Sequence, residues 1–522
     1  MKNLILLVLG FYSITLTAQE KKSWDVSNPE GDWQFKELSL SVDEGTWMNL
    51  DVSPDGSKLV FDLLGDIYIM PATGGKATAL RSGLAFEVQP RFSPDGKRIS
   101  FTSDAGGGDN IWIMNVDGTD ARQVTKEDFR LLNNAVWTAD GEYLIARKHF
   151  TSQRSLGAGE MWMYHKTGGS GLQITERKND QQDVNEPSIS SDGHYLYYCE
   201  DVYPGGYFQY NKDPNSQIYQ VKQYDFQTGE IETITGGPGS ASRPTISHNN
   251  QFLAFVKRVR TKTVLYIHDL KTGEEWPVYD QLNKDQQEAW AIFGTYPNYT
   301  WSPDDQFIYL WAGGKIQKLN VAEKTISNIP FQVDNTIKIA EALKFKRDIN
   351  PEQFDVKVIS NAVTSPDGNT LVFNALGSLY KKTLPSGSPQ RLTGSSDFEL
   401  EPVFTPDGNA IVYVAWDDEN MGAVYKLALT GKKAQPVKLT SEKGIYRTPS
   451  VSPSGKEVLF VKESGNSLIG RTFNKQPGIY KISINGGTAT RILDRGEYPV
   501  FNKTGDRIFF QTGGYFFGGL TK

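Results

Sequence analysis

The residues able to do chemistry are few and scattered. The chain has five histidines, His149, His165, His194, His248 and His268, and one cysteine, Cys199. A single cysteine rules out an intramolecular disulfide framework and any cysteine-based zinc cluster. There is no G-x-S-x-G elbow, including around Ser170 and Ser467, and no Walker A loop, H-E-x-x-H or C-x-x-C. The run Asp417-Asp418-Glu419 has the ligand chemistry for a hard cation, but reads first as a solvated loop. Cys199 follows Tyr195-Leu196-Tyr197-Tyr198 and reads as a small buried strand residue. No catalytic residue, metal site or cofactor site is expected within this chain.

Binding chemistry is better represented. One cluster holds Arg147, Lys148, His149, Arg154 and Glu160. A second holds Tyr203, Tyr207, Phe208 and Tyr210, and a third Lys257, Arg258, Arg260 and Lys262. Arg and aromatic side chains are favoured anchors at interfaces. These clusters are expected to face a partner domain, a peptide-like ligand or another anionic ligand. The competing reading is loop decoration with charges turned to water.

The elements that carry them are set by a repeat. The tetrapeptide SPDG occupies Ser53–Gly56, Ser93–Gly96 and Ser365–Gly368, with variants beginning at Thr138, Ser190, Ser247, Ser302, Thr405, Ser452 and Asn502, ten copies in all. Pro presets the second turn position, Asp bonds to nearby backbone and Gly accepts the left-handed conformation, so each copy predicts a tight hairpin. Alternating apolar strands such as Lys58-Leu59-Val60-Phe61 follow, then a second strand such as Asp66-Ile67-Tyr68-Ile69-Met70. Each unit is about four short strands in some 40 to 60 residues, the size of a propeller blade. Helical periodicity is nearly absent, the exception being a short helix near Asn283–Ala291. The three binding clusters fall in the connection between the post-motif strand and the next strand of units three, four and five, on one face of a ring, where binding residues concentrate on a rigid scaffold.

The series restarts. Positions 53, 93, 138 and 190 match 365, 405, 452 and 502 at offsets of 312, 312, 314 and 312. The fold class predicted is all-β, with tandem β-propellers. Residues 33–332 form a six-bladed ring, 333–351 a linker, and 352–522 a second, partial ring of about three and a half blades. A strand near Trp33–Val42 is expected to close the first ring by pairing with the last blade, since closure removes exposed sheet edges. A single irregular ring of ten units explains neither the restart nor the long gap before it. The partial ring suggests the front part of a longer protein.

Residues 1–18, MKNLILLVLGFYSITLTA, read as a cleavable signal peptide without a lipid-anchor cysteine, the alternative being an uncleaved N-terminal anchor. No later stretch approaches the roughly 20 apolar residues of a membrane-spanning helix. A periplasmic or secreted protein follows. The formal charge of −6 argues against nucleic acid as a partner. The oligomeric state has no sequence signature.

At this point the SPDG…IYxM…GG…LT units resemble the TolB and tricorn-type propeller repeats, a WD40-like class, over nearly all of the mature chain. Two stretches, Glu44–Val52 and Arg147–Glu160, look like the N-terminal propeller region of large exported amidohydrolase-related proteins. That resemblance implies two propellers ahead of a metal-dependent hydrolase barrel. Such hydrolases use a His-x-His strand motif, and none of the five histidines forms one. The metal and the hydrolysis are therefore expected only in a domain beyond this chain. A stand-alone TolB-like binding or scaffold propeller, and the front of a tricorn-like protease, are the alternatives.

Overall fold

In a computed structural model, the structure describes residues 25–512 apart from 129–130, 152–156, 204–211, 290, 342–346, 431–434 and 465–474. Among these residues nine four-stranded antiparallel sheets and one two-stranded sheet follow one another along the chain, each strand paired with the next strand of its own sheet. Each motif sits between the first and second strands of its sheet. In the first, Ser53 Oγ donates to Asp55 Oδ1 at 2.5 Å, and the Lys58 N–H donates to Ser53 Oγ at 2.9 Å. The same pair of bonds recurs at Ser93, Thr138, Ser190, Ser302, Ser365 and Thr405. The motif glycine takes φ of 68° at Gly96, a left-handed conformation that a β-carbon disfavours.

The ring form comes from strand alternation. Successive side chains point to opposite faces, so each sheet buries two apolar surfaces. Leu59 and Phe61 pack toward the sixth sheet, whereas Val60 packs toward the second. Clusters of this kind join sheets one to two, two to three, three to four and four to five. The largest links five, six and one, and so closes the circle through Val256, Leu265, Trp301, Leu310 and Leu50. Each fully buried side chain of this size contributes about 1.5–3 kcal/mol.

The early strand Phe35–Val42 pairs antiparallel with Phe331–Ala340. That partner is not a strand of the sixth sheet, whose outer strand ends at Ile329. Pro330 intervenes, with no N–H for a ladder, and the strand beyond it pairs instead with Gly75–Lys76 of the first blade. The closing strand thus runs into the stretch read as linker. No helix forms near Asn283–Ala291 among the described residues. Instead that segment is fixed by Asp285, which accepts from Thr263 Oγ1 and donates its N–H back to it at 2.6 and 2.9 Å.

The second group of sheets starts at Ser360–Thr364 and is joined by clusters between sheets seven, eight, nine and ten. Its outermost faces are open: Phe354 and Val358 are exposed at one end, Tyr498, Val500 and Phe509 at the other. Tandem propellers, one six-bladed ring and one partial ring of three and a half blades, are the architecture.

Candidate functional site

Residues from all six inner strands converge on the axis of the first ring. In sheets two to five the inner strand carries a bulge, with register shifts at Val88/Arg91, Asn133/Val136, Asn185/Ser188 and Ser242/Thr245. The bulged residues, Gln89, Asn134, Glu186 and Arg243, have φ of 60°, 58°, 61° and 52°. A bulge re-aims a side chain, and here it builds a polar belt. Asn134 N–H donates to Gln89 Oε1 at 2.8 Å, and Asn134 Nδ2 to Asn185 Oδ1 at 2.9 Å. Arg243 Nη1 donates to Asn134 Oδ1 and Asn298 Oδ1, while Asn298 N–H donates to Asn49 Oδ1.

That belt grips a stopper. Residues 291–299, leading into the sixth blade, lie across the axis. Gln89 Nε2 donates to the Phe293 carbonyl at 2.8 Å, Asn185 Nδ2 to that of Ile292 at 2.9 Å, and Thr295 Oγ1 to Glu186 Oε1 at 2.9 Å. A β-carbon on Gly294, whose φ is +106°, would lie 1.8 Å from Arg243 Nη2. Cys199 is buried as expected, with Sγ 3.0 Å from Glu186 Oε2; burial, then the Glu186 charge, hold its thiol well above the usual range.

The other end of the axis is a cavity of about 410 Å³. The second residue of every motif in the ring, Pro54, Pro94, Ala139, Ser191, His248 and Pro303, lines it. So do the residues two places before each motif, Asp51, Arg91, Val136, Ser188, Thr245 and Thr300. Trp137, Ile189, Ile246 and Trp301 supply apolar wall. Two charges stand in it. Asp51 Oδ2 accepts the Phe92 N–H at 2.8 Å, and Arg91 Nη1 lies 4.0 Å from Asp51 Oδ1, each side chain 13% exposed. Burial raises the Asp51 carboxyl despite Arg91 nearby. Burial lowers the Arg91 guanidinium to about 10, Asp51 opposing and Arg243 adding to the shift. The rim holds His248, whose Nδ1 is 3.0 Å from Asp305 Oδ1.

Those residues singled out from sequence that the structure describes lie around the opposite face. Arg147 is fully buried and forks onto Asp183, with Nε–Oδ1 of 3.0 Å and Nη2–Oδ2 of 2.8 Å. Glu160 is buried too and accepts from Trp162 Nε1 at 2.8 Å, Gln173 Nε2 at 3.0 Å and Arg177 Nη1 at 3.0 Å. His149 is buried in the same sheet, opposite Gly159. Arg258 forks onto Asp285 at 2.8 and 2.7 Å and reaches Glu288 at 3.0 Å. Arg260 is exposed in the hairpin between Phe252–Val259 and Lys262–Asp269. Tyr203 is half-buried beneath Lys212, 5.6 Å from its ring centre. Arg154, Tyr207, Phe208 and Tyr210 lie outside the described residues. The structure thus brings Arg147, His149 and Glu160 into one blade and gives the two buried arginines carboxylate partners that tie down inter-blade connections. Asp417-Asp418-Glu419 begins a hairpin turn, Asp417 Oδ1 accepting the Glu419 and Asn420 N–H groups at 2.9 and 2.7 Å.

Sequence reasoning did not single out Arg91 and Asp51. A signal existed: aligned on the motif, the position two residues before it reads Asp, Arg, Val, Ser, Thr, Thr in the first ring, and Val363, Val403, Ser450, Val500 in the second. Charge occurs at that position only in the first ring. Among the described residues no helix is long and apolar enough to cross a membrane.

Residues 49–199 match the family model of the tricorn protease N-terminal β-propeller domain. The chain is 24% identical over 214 residues to the uncharacterized peptidase YuxL of Bacillus subtilis, across 39% of this chain and 28% of that protein. It is 27% identical over 161 residues to the Tol-Pal system protein TolB of Helicobacter hepaticus, across 30% of this chain and 38% of that protein. A crystal structure of TolB from Acinetobacter baumannii aligns with TM-score 0.41 and 15% identity, across 56% of this chain and 64% of the other. The chain spans less than two fifths of the length of these curated relatives. Its repeat is of the TolB and tricorn type.

Proposed function

We propose that this chain is an exported, non-catalytic binding module that takes a protein or peptide-like ligand at the motif face of its first ring. The observation that carries the reading is the convergence of all six motifs on one cavity of about 410 Å³. That volume lies within the range of small-ligand pockets, and apolar walls with a few placed polar groups are what such pockets share. The opposite end of the axis is filled by the chain's own residues 291–299, which favours the motif face as the way in. In this reading the module serves a hydrolase domain of the amidohydrolase-like class, suggested by Glu44–Val52 and Arg147–Glu160, with the metal held there. The match to TolB favours the second reading, a free-standing periplasmic scaffold. Both use the same mouth.

The test is a filled cavity. Ala139→Trp places an indole at the rim of the mouth. A pool of random nonapeptides is expected to bind the unaltered protein at micromolar affinity and the variant at least tenfold more weakly, as read by fluorescence anisotropy. Equal binding by the two would contradict the reading.

A further inference from the structure

We infer that the mouth of the first ring is a carboxylate site anchored by Arg91, a step that rests on the mouth being the ligand face.

Arg91, partly exposed at the mouth, differs from the fully buried arginines. Arg147 and Arg258 each fork onto an aspartate, and Arg243 donates to two asparagine oxygens and the Phe293 carbonyl. A buried Nε–H without an acceptor among the described residues is common to Arg91 and Arg243, but Arg243 bonds through its other nitrogens, whereas no side-chain nitrogen of Arg91 bonds an acceptor among the described residues. Its nearest carboxylate oxygen, on Asp51, is 4.0 Å from Nη1, beyond hydrogen-bond length. Asp51 is itself engaged: it accepts the Phe92 N–H at 2.8 Å and is bonded by the Thr300 side chain. Asp51 therefore balances the charge of Arg91 without capping its donors.

A guanidinium is a rigid fork matched to the two oxygens of a carboxylate, and it is less strongly hydrated than an ammonium, so it suits a site where its side chain is only 13% exposed. The apolar walls of Trp137 and Trp301 fit a hydrocarbon body next to that carboxylate. The balance of charge limits affinity. Asp51 and Arg91 leave the mouth neutral before a ligand enters, and the deeper Arg243 is matched by Glu186 at 3.4 Å. Recognition then rests on hydrogen-bond geometry and burial, so a single small acid binds at about 1 mM, as expected of a few-atom ligand. The second ring, with Val363, Val403, Ser450 and Val500 at the matching positions, lacks this anchor.

The ligand carboxylate has two sources, a peptide C-terminus or a small aliphatic acid. N-acetyl-leucine, N-acetyl-leucinamide and 3-methylbutanoate are titrated into the full chain and followed by ligand-observed NMR. The acetylated acid is expected to bind near 1 mM and the amide at least tenfold more weakly, with Arg91→Gln removing the preference. Comparable binding of 3-methylbutanoate assigns the site to small acids, and binding of N-acetyl-leucine alone assigns it to a peptide end; both support the proposal. Should Arg91→Gln fail to fold with Asp51 uncompensated, the paired variant Asp51→Asn with Arg91→Gln removes both charges and is expected to lose the same preference. Equal affinity for acid and amide, or acid binding unchanged by loss of Arg91, overturns the carboxylate assignment. Ala139→Trp separates the two layers. If it abolishes binding in that case, the ligand mouth stands and only Arg91 falls; if it leaves binding intact, both fall.

Discussion

Glu186 and Arg243, the bulged residues of neighbouring blades four and five, meet across the axis of the first ring with Oε1 and Nε 3.4 Å apart and both side chains buried. The backbone repeats the link, since the Arg243 N–H donates to Glu186 Oε2. Both also hold the stopper, Glu186 through Thr295 and Arg243 through Phe293. Removing one partner of a buried pair leaves an uncompensated charge, at a cost of about 3–5 kcal/mol. Arg243→Ala is expected to lower the unfolding free energy by that amount in urea titration, with the midpoint moving far more than the slope.

Gly294→Ala tests the close approach directly. The added methyl meets Arg243 Nη2 and the residue must hold φ of +106°. Overpacking of this kind costs about 1–3 kcal/mol, and unfavourable φ adds to it. The expected outcome is a lower unfolding midpoint, with accelerated hydrogen exchange confined at first to residues 291–299.

Arg147 and Arg258 were attractive as ligand contacts from sequence, and the structure gives them structural partners. Arg147→Ala leaves Asp183 without its fork, and Arg258→Ala leaves Asp285 and Glu288. Each is expected to cost about 3–5 kcal/mol in chemical denaturation. Peptide binding measured well below the melting temperature should stay within twofold of the unaltered protein.

Asp62 gives the stability a pH dependence of known sign. Burial pushes its carboxyl up to about 7, although the N–H groups of Gln89 and Asn49 and the Asn49 side chain pull the other way. In the unfolded chain the group titrates near 4. Between about pH 4 and pH 7 the native state therefore holds a proton that the unfolded state has released. Stability from this group falls as pH rises through that window and is level above it. The difference in unfolding free energy between the unaltered protein and Asp62→Asn should move against the unaltered protein from pH 4 to pH 7; a flat difference would contradict the account.

The ring architecture was legible because turn chemistry is local. Ser53-Pro54-Asp55-Gly56 fixes a hairpin whatever lies around it, and the restart at Ser365 marks the second ring. The axis was not legible for the opposite reason. Arg91 and Asp51 belong to different blades, and each reads alone as an ordinary strand residue. Their meeting depends on the packing of the second blade against the first, where the Phe92 N–H reaches Asp51, and the mouth around them on closure between the first and sixth blades, 249 residues apart at Asn49 and Asn298. The segment read as a short helix near Asn283 was misjudged because its polar residues serve tertiary contacts, Asp285 to Arg258 and Thr263, in place of helical periodicity. The strand partner of Phe35–Val42 was displaced by one element because Pro330 ends the sixth sheet.

The central claim is that ligand enters by the motif face. Differential hydrogen exchange, with and without a saturating peptide, reads this along the whole chain. The account predicts protection at the amides of residues 91–96, 245–250 and 300–305, which rim the mouth. Protection confined instead to residues 147–150, 157–160, 212–219 and 257–262 on the opposite face would contradict it.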